Sequence, residues 1–274
     1  MPELPDVEAF RALFAANAAG HRVTGVDVAD AGVLRKVTPR QLSEALRGRV
    51  LSEPARRGKW LIVPTDGPVL LLHFGMTGSL EWSSEGEPRH RHDRVIFITD
   101  HGELRFRDMR KLQGITLARD PGEVDRVLGT LGPDALAIGR KDFDALLGER
   151  RGAVKTMLID QEAVSGLGNL LADEILWRAK VHPRCSANKL TTDERRRLYS
   201  EMRKVLHAAV RAGRVPPRPS WLTGRRDRGR ARGEGPQRKG AHRLGATCPR
   251  CETPLSRARI GGRTTVWCPR CQPA

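Results

Sequence analysis

Aromatic side chains are scarce in this chain: six Phe, five Trp and one Tyr, 4% of 274 residues. These are too few rings for the base-stacking sheets with which RNA-recognition domains hold single strands. Long apolar runs are missing too. None approaches the roughly 18 to 20 residues that cross a bilayer, so no membrane partner is expected. The start, MPELPDVEAF, has Glu3 and Asp6 where a secretory or transit peptide carries Lys or Arg, and no apolar core follows, which predicts a cytosolic protein. Cysteine is limited to five residues, and in a reducing compartment these serve as metal ligands or bystanders before they serve as disulfides. Acidic residues are the last deficit: 32 Asp+Glu stand against 49 Lys+Arg, a formal charge of +17. Such an excess points to a polyanion, because counterion release from phosphates rewards Arg and Lys spread over a folded surface. With so few rings, contact with double-stranded nucleic acid through its backbone is expected. A generally Arg-rich composition is the plainer account of the same number.

The length suits about two domains. Val7, Phe10, Leu13 and Phe14 fall at helical spacing over residues 5–19, and Gly20 ends the pattern. From Arg22 to about Leu117 the texture becomes short apolar runs with turn signals, such as KWLIVPT, VLLLHFGMTGSLEW and DRVIFITD. This predicts a β-sandwich or barrel with one helix near residues 39–47. After Arg119 the pattern is helical. Thr191 followed by Glu194 forms a capping-box signature ahead of an apolar face of Leu198, Met202, Val205 and Leu206. Residues 211–243 hold 11 Lys+Arg and 2 Asp+Glu in an Arg/Gly/Pro-rich stretch, read as a linker that could clamp a phosphate backbone when nucleic acid is present. The expected fold is thus α+β, with a β-sandwich catalytic domain over 1–119 and a helical domain over 120–213. A basic segment over 214–246 and a hairpin over 247–274 follow.

That hairpin carries the strongest local signal. Cys248 and Cys251, then Cys268 and Cys271, form two Cys-x-x-Cys knuckles with 16 residues between them. Four thiolates at this spacing can surround one Zn²⁺ tetrahedrally, and four protein ligands leave no open position, so the site is structural. Two disulfides are the alternative. Arg263 stands at the tip of the two strands joined by Gly261-Gly262, where a guanidinium suits bidentate phosphate contact.

The amino terminus offers a second chemistry. Removal of Met1 would leave Pro2 as a free secondary amine beside Glu3. An α-amino group has a reference pKa near 7.7 to 8, so at about pH 7.4 roughly a quarter is neutral and nucleophilic, against ~0.1% of a lysine. Such an amine can attack an electrophilic carbon and form an iminium.

Five motifs occur in order: Met1 to Glu8 (MPELPDVE), Arg57-Gly58-Lys59-Trp60-Leu61, His73-Phe74-Gly75-Met76-Thr77-Gly78-Ser79-Leu80, Gly166-Leu167-Gly168-Asn169, and the four-cysteine hairpin. Together they resemble the formamidopyrimidine-DNA glycosylase / endonuclease VIII family of base-excision repair enzymes over nearly the whole chain. The resemblance implies a bifunctional DNA glycosylase and AP lyase acting as a monomer in the bacterial cytosol on double-stranded DNA with a damaged base or abasic site. It implies Pro2 as the nucleophile at C1′, Glu3 as the acid-base group, Lys59 on a phosphate beside the lesion, and Arg263 assisting the second, δ, elimination. It also implies Asn169, in a helix-two-turn-helix, as a ligand of the DNA backbone. Met76, Arg110 and Leu112 would fill the hole left by the flipped nucleotide, with His92, Arg151 and Lys155 as further DNA contacts. Two departures stand out. Leu112 occupies the place where the formamidopyrimidine branch usually has Phe, and the Gly-Gly-Thr-Thr-like loop that closes over an oxidised purine is replaced by the Arg-rich segment. Lesion preference therefore stays open between oxidised purines, pyrimidines and abasic sites. A non-catalytic binder of DNA or RNA, built from the same zinc ribbon and helices, is the alternative and leaves Pro2, Glu3 and Lys59 without a role.

Overall fold

The structure, a computed structural model, describes residues 2–84, 86–215, 221–222 and 246–274. It divides into two compact units, Met1–Thr130 and Leu131–Ala274. The basic segment expected over 214–246 falls almost entirely outside the described residues.

The first unit opens with helix α1 (Leu4–Asn17), which has Pro5 in its first turn, where a missing N–H costs nothing. Next come β1 (Val23–Val28), β2 (Leu34–Arg35), α2 (Pro39–Leu46), β3 (Ala55–Arg57), β4 (Trp60–Val63), β5 (Val69–His73), β6 (Ser79–Ser83), β7 (Asp93–Thr99), β8 (Glu103–Arg107), β9 (Ile115–Ala118) and α3 (Pro121–Leu128). Helix α2 lies where the sequence predicts it, because Thr38 and Gln41 close a capping box and Pro39 opens the helix. The strands form two sheets, β1-β7-β8-β6 and β2-β9-β5-β4-β3, antiparallel except for the β2–β9 pair. Their apolar faces supply one core that includes Leu61, Leu70, Leu72, Val95, Phe97, Leu104, Phe106 and Ile115, closed by Val7 and Phe14 of α1 and by Leu42 and Leu46 of α2. Each such side chain contributes about 1.5 to 3 kcal/mol when fully buried. Helix α3 packs on β9, so the unit ends at Thr130 rather than at the expected residue 119.

The second unit holds α4 (Arg140–Glu149), α5 (Val154–Ile159), α6 (Asn169–Ala179), α7 (Thr192–Ala212) and the hairpin β10 (Ser256–Ile260) and β11 (Arg263–Trp267). Thr191 and Glu194 cap α7 as expected, and Leu198, Met202, Val205 and Leu206 are buried. Helix α6 packs against α5, α7 and β11. The hairpin, expected as a separate domain, is therefore part of the helical unit. Among the described residues no helix is long and apolar enough to cross a membrane.

Candidate active site and metal centre

Pro2 is half-buried and Glu3 fully buried. Glu3 is the N-cap of α1: its N–H donates to Asp6 Oδ2 at 2.8 Å, and its carbonyl accepts from the Asp6 and Val7 amides. The amine of Pro2 therefore projects from a backbone whose next peptide is pinned. Lys59 sits in the two-residue turn between β3 and β4, after Gly58 at φ 58°. Arg56 ties that turn to α1, its Nε donating to Glu8 Oε2 at 2.9 Å and its Nη1 to the Gly58 carbonyl at 3.0 Å. Burial and two arginine partners oppose each other at Glu8, and the Arg11 and Arg56 bonds prevail to keep its carboxyl below the usual range.

His73, which the sequence reading passed over, joins the lysine turn to the next loop. Its ring meets Trp60 edge-on at 4.8 Å, and its Nδ1 accepts from the Gly75 N–H at 3.1 Å. Burial, reinforced by the charge of Lys59, pulls its pKa down from 6.5 to about 4. The imidazole is thus neutral at physiological pH, with Nε2 carrying the proton. Gly75 turns the chain with φ 54°, and Met76 follows in that turn, half-buried.

Arg110 Nη1 lies 2.9 Å from Met76 Sδ, so the structure brings these two predicted residues together. Fully buried Asp108 fixes both loops: it accepts from the Thr77 hydroxyl and from the Arg110 and Lys111 amides at 3.0 and 3.1 Å. Lys111 adopts φ 54°, held by Arg35 on its carbonyl at 2.8 Å and by its own Nζ on Asp30 at 2.9 Å. On this framework Leu112 is 49% exposed and Met109 51%, the exposed large apolar side chains among the described residues. His92 stands beside the loop, its carbonyl accepting from the Asp108 N–H and its Nδ1 3.0 Å from Arg94 Nη2. Asp108, Arg35 and Met109 escaped the sequence reading, which had no way to see the bonds that make a short exposed segment rigid.

In the second unit the Gly166–Asn169 stretch is the turn that starts α6, with Gly166 at φ 104° and Gly168 as N-cap. Gln161 staples the turn, donating to the Ile159 and Leu167 carbonyls and accepting from Gly166 N–H. Asn169 Nδ2 donates to the Thr264 carbonyl at 2.9 Å, which fastens helix to hairpin, while its Oδ1 is buried without a partner among the described residues. Arg151 and Arg263 are exposed. Lys155 is not at the surface: it is 0% exposed, with Nζ 2.5 Å from Asp173 Oδ1 and 2.7 Å from Thr265 Oγ1. The expected DNA contact at Lys155 gives way to an interior ion pair, since a buried ammonium is stable only among such partners.

The four hairpin cysteines converge, with Sγ atoms all within 4.8 Å of one another. Cys248–Cys271 is 3.9 Å and Cys251–Cys268 and Cys251–Cys271 are 3.5 Å. A tetrahedron of sulfurs at the ~2.3 Å zinc–sulfur distance has edges of about 3.8 Å, so the cluster fits one Zn²⁺ and not two disulfides. Burial pushes the Cys268 thiol up to about 12, a cost that a cation held among the four sulfurs would offset. Backbone amides of Arg250 and Cys271 and the Trp177 indole at 3.3 Å donate to the sulfurs, and Arg250 stacks 4.5 Å over the Trp177 ring. The fifth cysteine, Cys185, is half-buried, and burial raises its pKa.

Comparison with known proteins agrees with this geometry. The chain matches the formamidopyrimidine-DNA glycosylase N-terminal domain over residues 1–115, the H2TH domain of the same enzymes over 131–216, and a zinc finger found in FPG and IleRS over 245–274. It is 35% identical to the formamidopyrimidine-DNA glycosylase of Methylococcus capsulatus over 99% of this chain and 100% of that one, and 36% identical to that of Thioalkalivibrio sulfidiphilus with the same coverage. Among solved structures, the Lactococcus lactis enzyme non-covalently bound to DNA containing an AP site superposes with a TM-score of 0.85 at 25% identity, covering all of both chains. Sequence motifs, two-unit fold and thiolate cluster lead to one assignment: the chain belongs to the formamidopyrimidine-DNA glycosylase family.

Proposed function

We propose that this DNA glycosylase and AP lyase works from its amino terminus. Once Met1 is removed, the Pro2 nitrogen attacks C1′ of the damaged nucleotide. The C1′–base bond breaks with its electron pair leaving on the base, and ring opening gives a Schiff base. Glu3 moves the proton to and from the sugar ring oxygen. β-Elimination then releases the 3′ phosphate, and δ-elimination the 5′ phosphate. Lys59 holds a phosphate in the first unit, and Arg263 and Asn169 hold phosphates in the second. Met76, Arg110 and Leu112 occupy the space of the flipped nucleotide, which chemistry inside a duplex requires to leave the stack. Zinc holds the hairpin that presents Arg263. The protein acts as a monomer in the bacterial cytosol on duplex DNA containing a damaged base or an abasic site.

The observation that carries this reading is the fixed amino terminus, where Pro2 precedes a buried N-cap glutamate whose own N–H is bonded at 2.8 Å. Borohydride is expected to trap the protein covalently on abasic-site duplex, and Pro2→Gly to trap less by about an order of magnitude or more. No adduct with the wild type, or Met1 retained in N-terminal mass spectrometry, would leave only a zinc-ribbon binding protein. A panel of lesion oligonucleotides sorts oxidised purines from pyrimidines.

A further inference from the structure

The interior ion pair of the second unit does not end at Lys155. From Asp173 Oδ1 a line of short contacts runs 2.5 Å to Lys155 Nζ and 2.7 Å on to Thr265 Oγ1, whose hydroxyl donates to the Arg263 carbonyl at 3.3 Å. Lys155, Asp173 and Thr265 are at most 1% exposed. Asp173 also reaches the strand with its other oxygen, Oδ2 accepting from the Val266 N–H at 3.4 Å. Side chains alternate along a strand, so Thr265 and Arg263 lie on the same face of β11. That face is the one turned to Lys155.

Two further contacts act on the same hairpin. Asn169, one turn before Asp173 on α6, holds the Thr264 carbonyl, and Trp177, one turn after it, donates to Cys248 Sγ. The spacing of four residues places all three on one helix face. At the tip, a Cβ on Gly261 would stand 3.0 Å from Thr156 Oγ1 of α5, so the turn before Arg263 lies directly against that helix.

We propose that Asp173, Lys155 and Thr265 form a positioning relay for Arg263. The relay holds the backbone of that residue, and the zinc knuckle alone does not fix its reach. Arg263 touches substrate; the three relay residues act through it. This inference rests on the reading of Arg263 as the phosphate-holding residue of the second elimination.

The test is the ratio of β- to β,δ-elimination products on abasic-site duplex with the full zinc-loaded chain. Arg263→Gln is the reference, and Thr265→Val is the probe: it keeps the size of the side chain and the Lys155–Asp173 pair while removing the hydroxyl. Arg263→Gln is expected to shift products to β-elimination by tenfold or more. Thr265→Val should shift them the same way by about fivefold, the factor one lost hydrogen bond carries. Thr265→Ser should restore the wild-type ratio. Zinc content of one per chain and unchanged borohydride trapping through Pro2 distinguish a displaced Arg263 from a misfolded hairpin. If Arg263→Gln shifts the ratio and Thr265→Val does not, the relay is overturned while the role of Arg263 stands. If Arg263→Gln itself leaves the ratio unchanged, the role of Arg263 fails and the relay with it. Should Thr265→Val lose its zinc, the paired replacement Lys155→Met with Asp173→Leu carries the same test, and an unshifted ratio there also overturns the relay.

Discussion

His73 gives the most direct measurable consequence of this arrangement. The side chain is held neutral with its pKa near 4, by burial first and by the charge of Lys59 second, against 6.5 for a free imidazole. A group whose folded pKa is depressed binds its proton more readily when unfolded, so its stabilising contribution is full above 6.5 and declines as pH falls towards 4. The whole gap is worth about 3 kcal/mol at the acid end, and about 2 kcal/mol is already lost at pH 5. Replacing His73 by Gln removes the titration while an amide oxygen can still accept from the Gly75 N–H. The assay is urea-dependent hydrogen exchange of the full chain, read over β4 and β5, at pH 7.5 and pH 5. The stability gap between wild type and His73→Gln should move by about 2 kcal/mol in favour of the variant on going to pH 5. Subtracting the variant removes the acid sensitivity of other groups, the thiolates included. Parallel curves at the two pH values would refute the account of a neutral imidazole locked between Trp60 and Gly75.

Three other outcomes are expected. Asp108→Ala leaves the Arg110 and Lys111 amides and the Thr77 hydroxyl without their acceptor, which should cost about 2 to 3 kcal/mol and strip hydrogen-exchange protection from residues 109–113. Chelation of the zinc from its four cysteines should abolish protection of β10 and β11, whose buried cluster amounts to little beyond Val266, Leu222, Trp177 and the cysteines, while sheet amides of the first unit keep theirs. The salt dependence of duplex binding should lose about 0.9 from its log–log slope for each of Lys59, Arg151 and Arg263 changed to Ala, and nothing for Arg35→Met, which should lower stability instead because its guanidinium is bonded to backbone carbonyls.

How much of this was legible in the sequence depends on how far apart the interacting groups lie. The caps of α2 and α7 are local, each made by residues three apart; α7 starts where Thr191 announces it, and α2 lies where a helix near residues 39–47 is expected. The zinc site was legible because its chemistry fixes the spacing of its ligands. Lys155 was misread because a lysine four residues after Arg151 looks the same in sequence whether it faces phosphate or the interior. Its partners Asp173 and Thr265 stand 18 and 110 residues away. Asp108 was invisible for the same reason, its Thr77 partner lying 31 residues back in another turn. The end of the first unit was misplaced because α3 has a helical pattern like the segments after it, and only its packing on β9 assigns it to the sandwich.

The same distinction changes what the charge of +17 means. Several arginines of the first unit are engaged inside the fold. Arg105 is 3% exposed and binds Glu103 and the carbonyls of Glu87 and Pro88. Arg35 donates to the carbonyls of Gly32, Leu34, Lys111 and Gln113, and Arg94 to that of Asp108. A guanidinium suits this work because its five donors lie in one plane and stay charged when half-buried. These cations add to the net charge and shape the loop that carries Arg110, yet they release no counterions on binding. The excess of arginine therefore serves two ends that composition cannot separate: exposed cations available to phosphates, and an internal set, Arg35, Arg94 and Arg105 among them, that holds the loops beneath them in place.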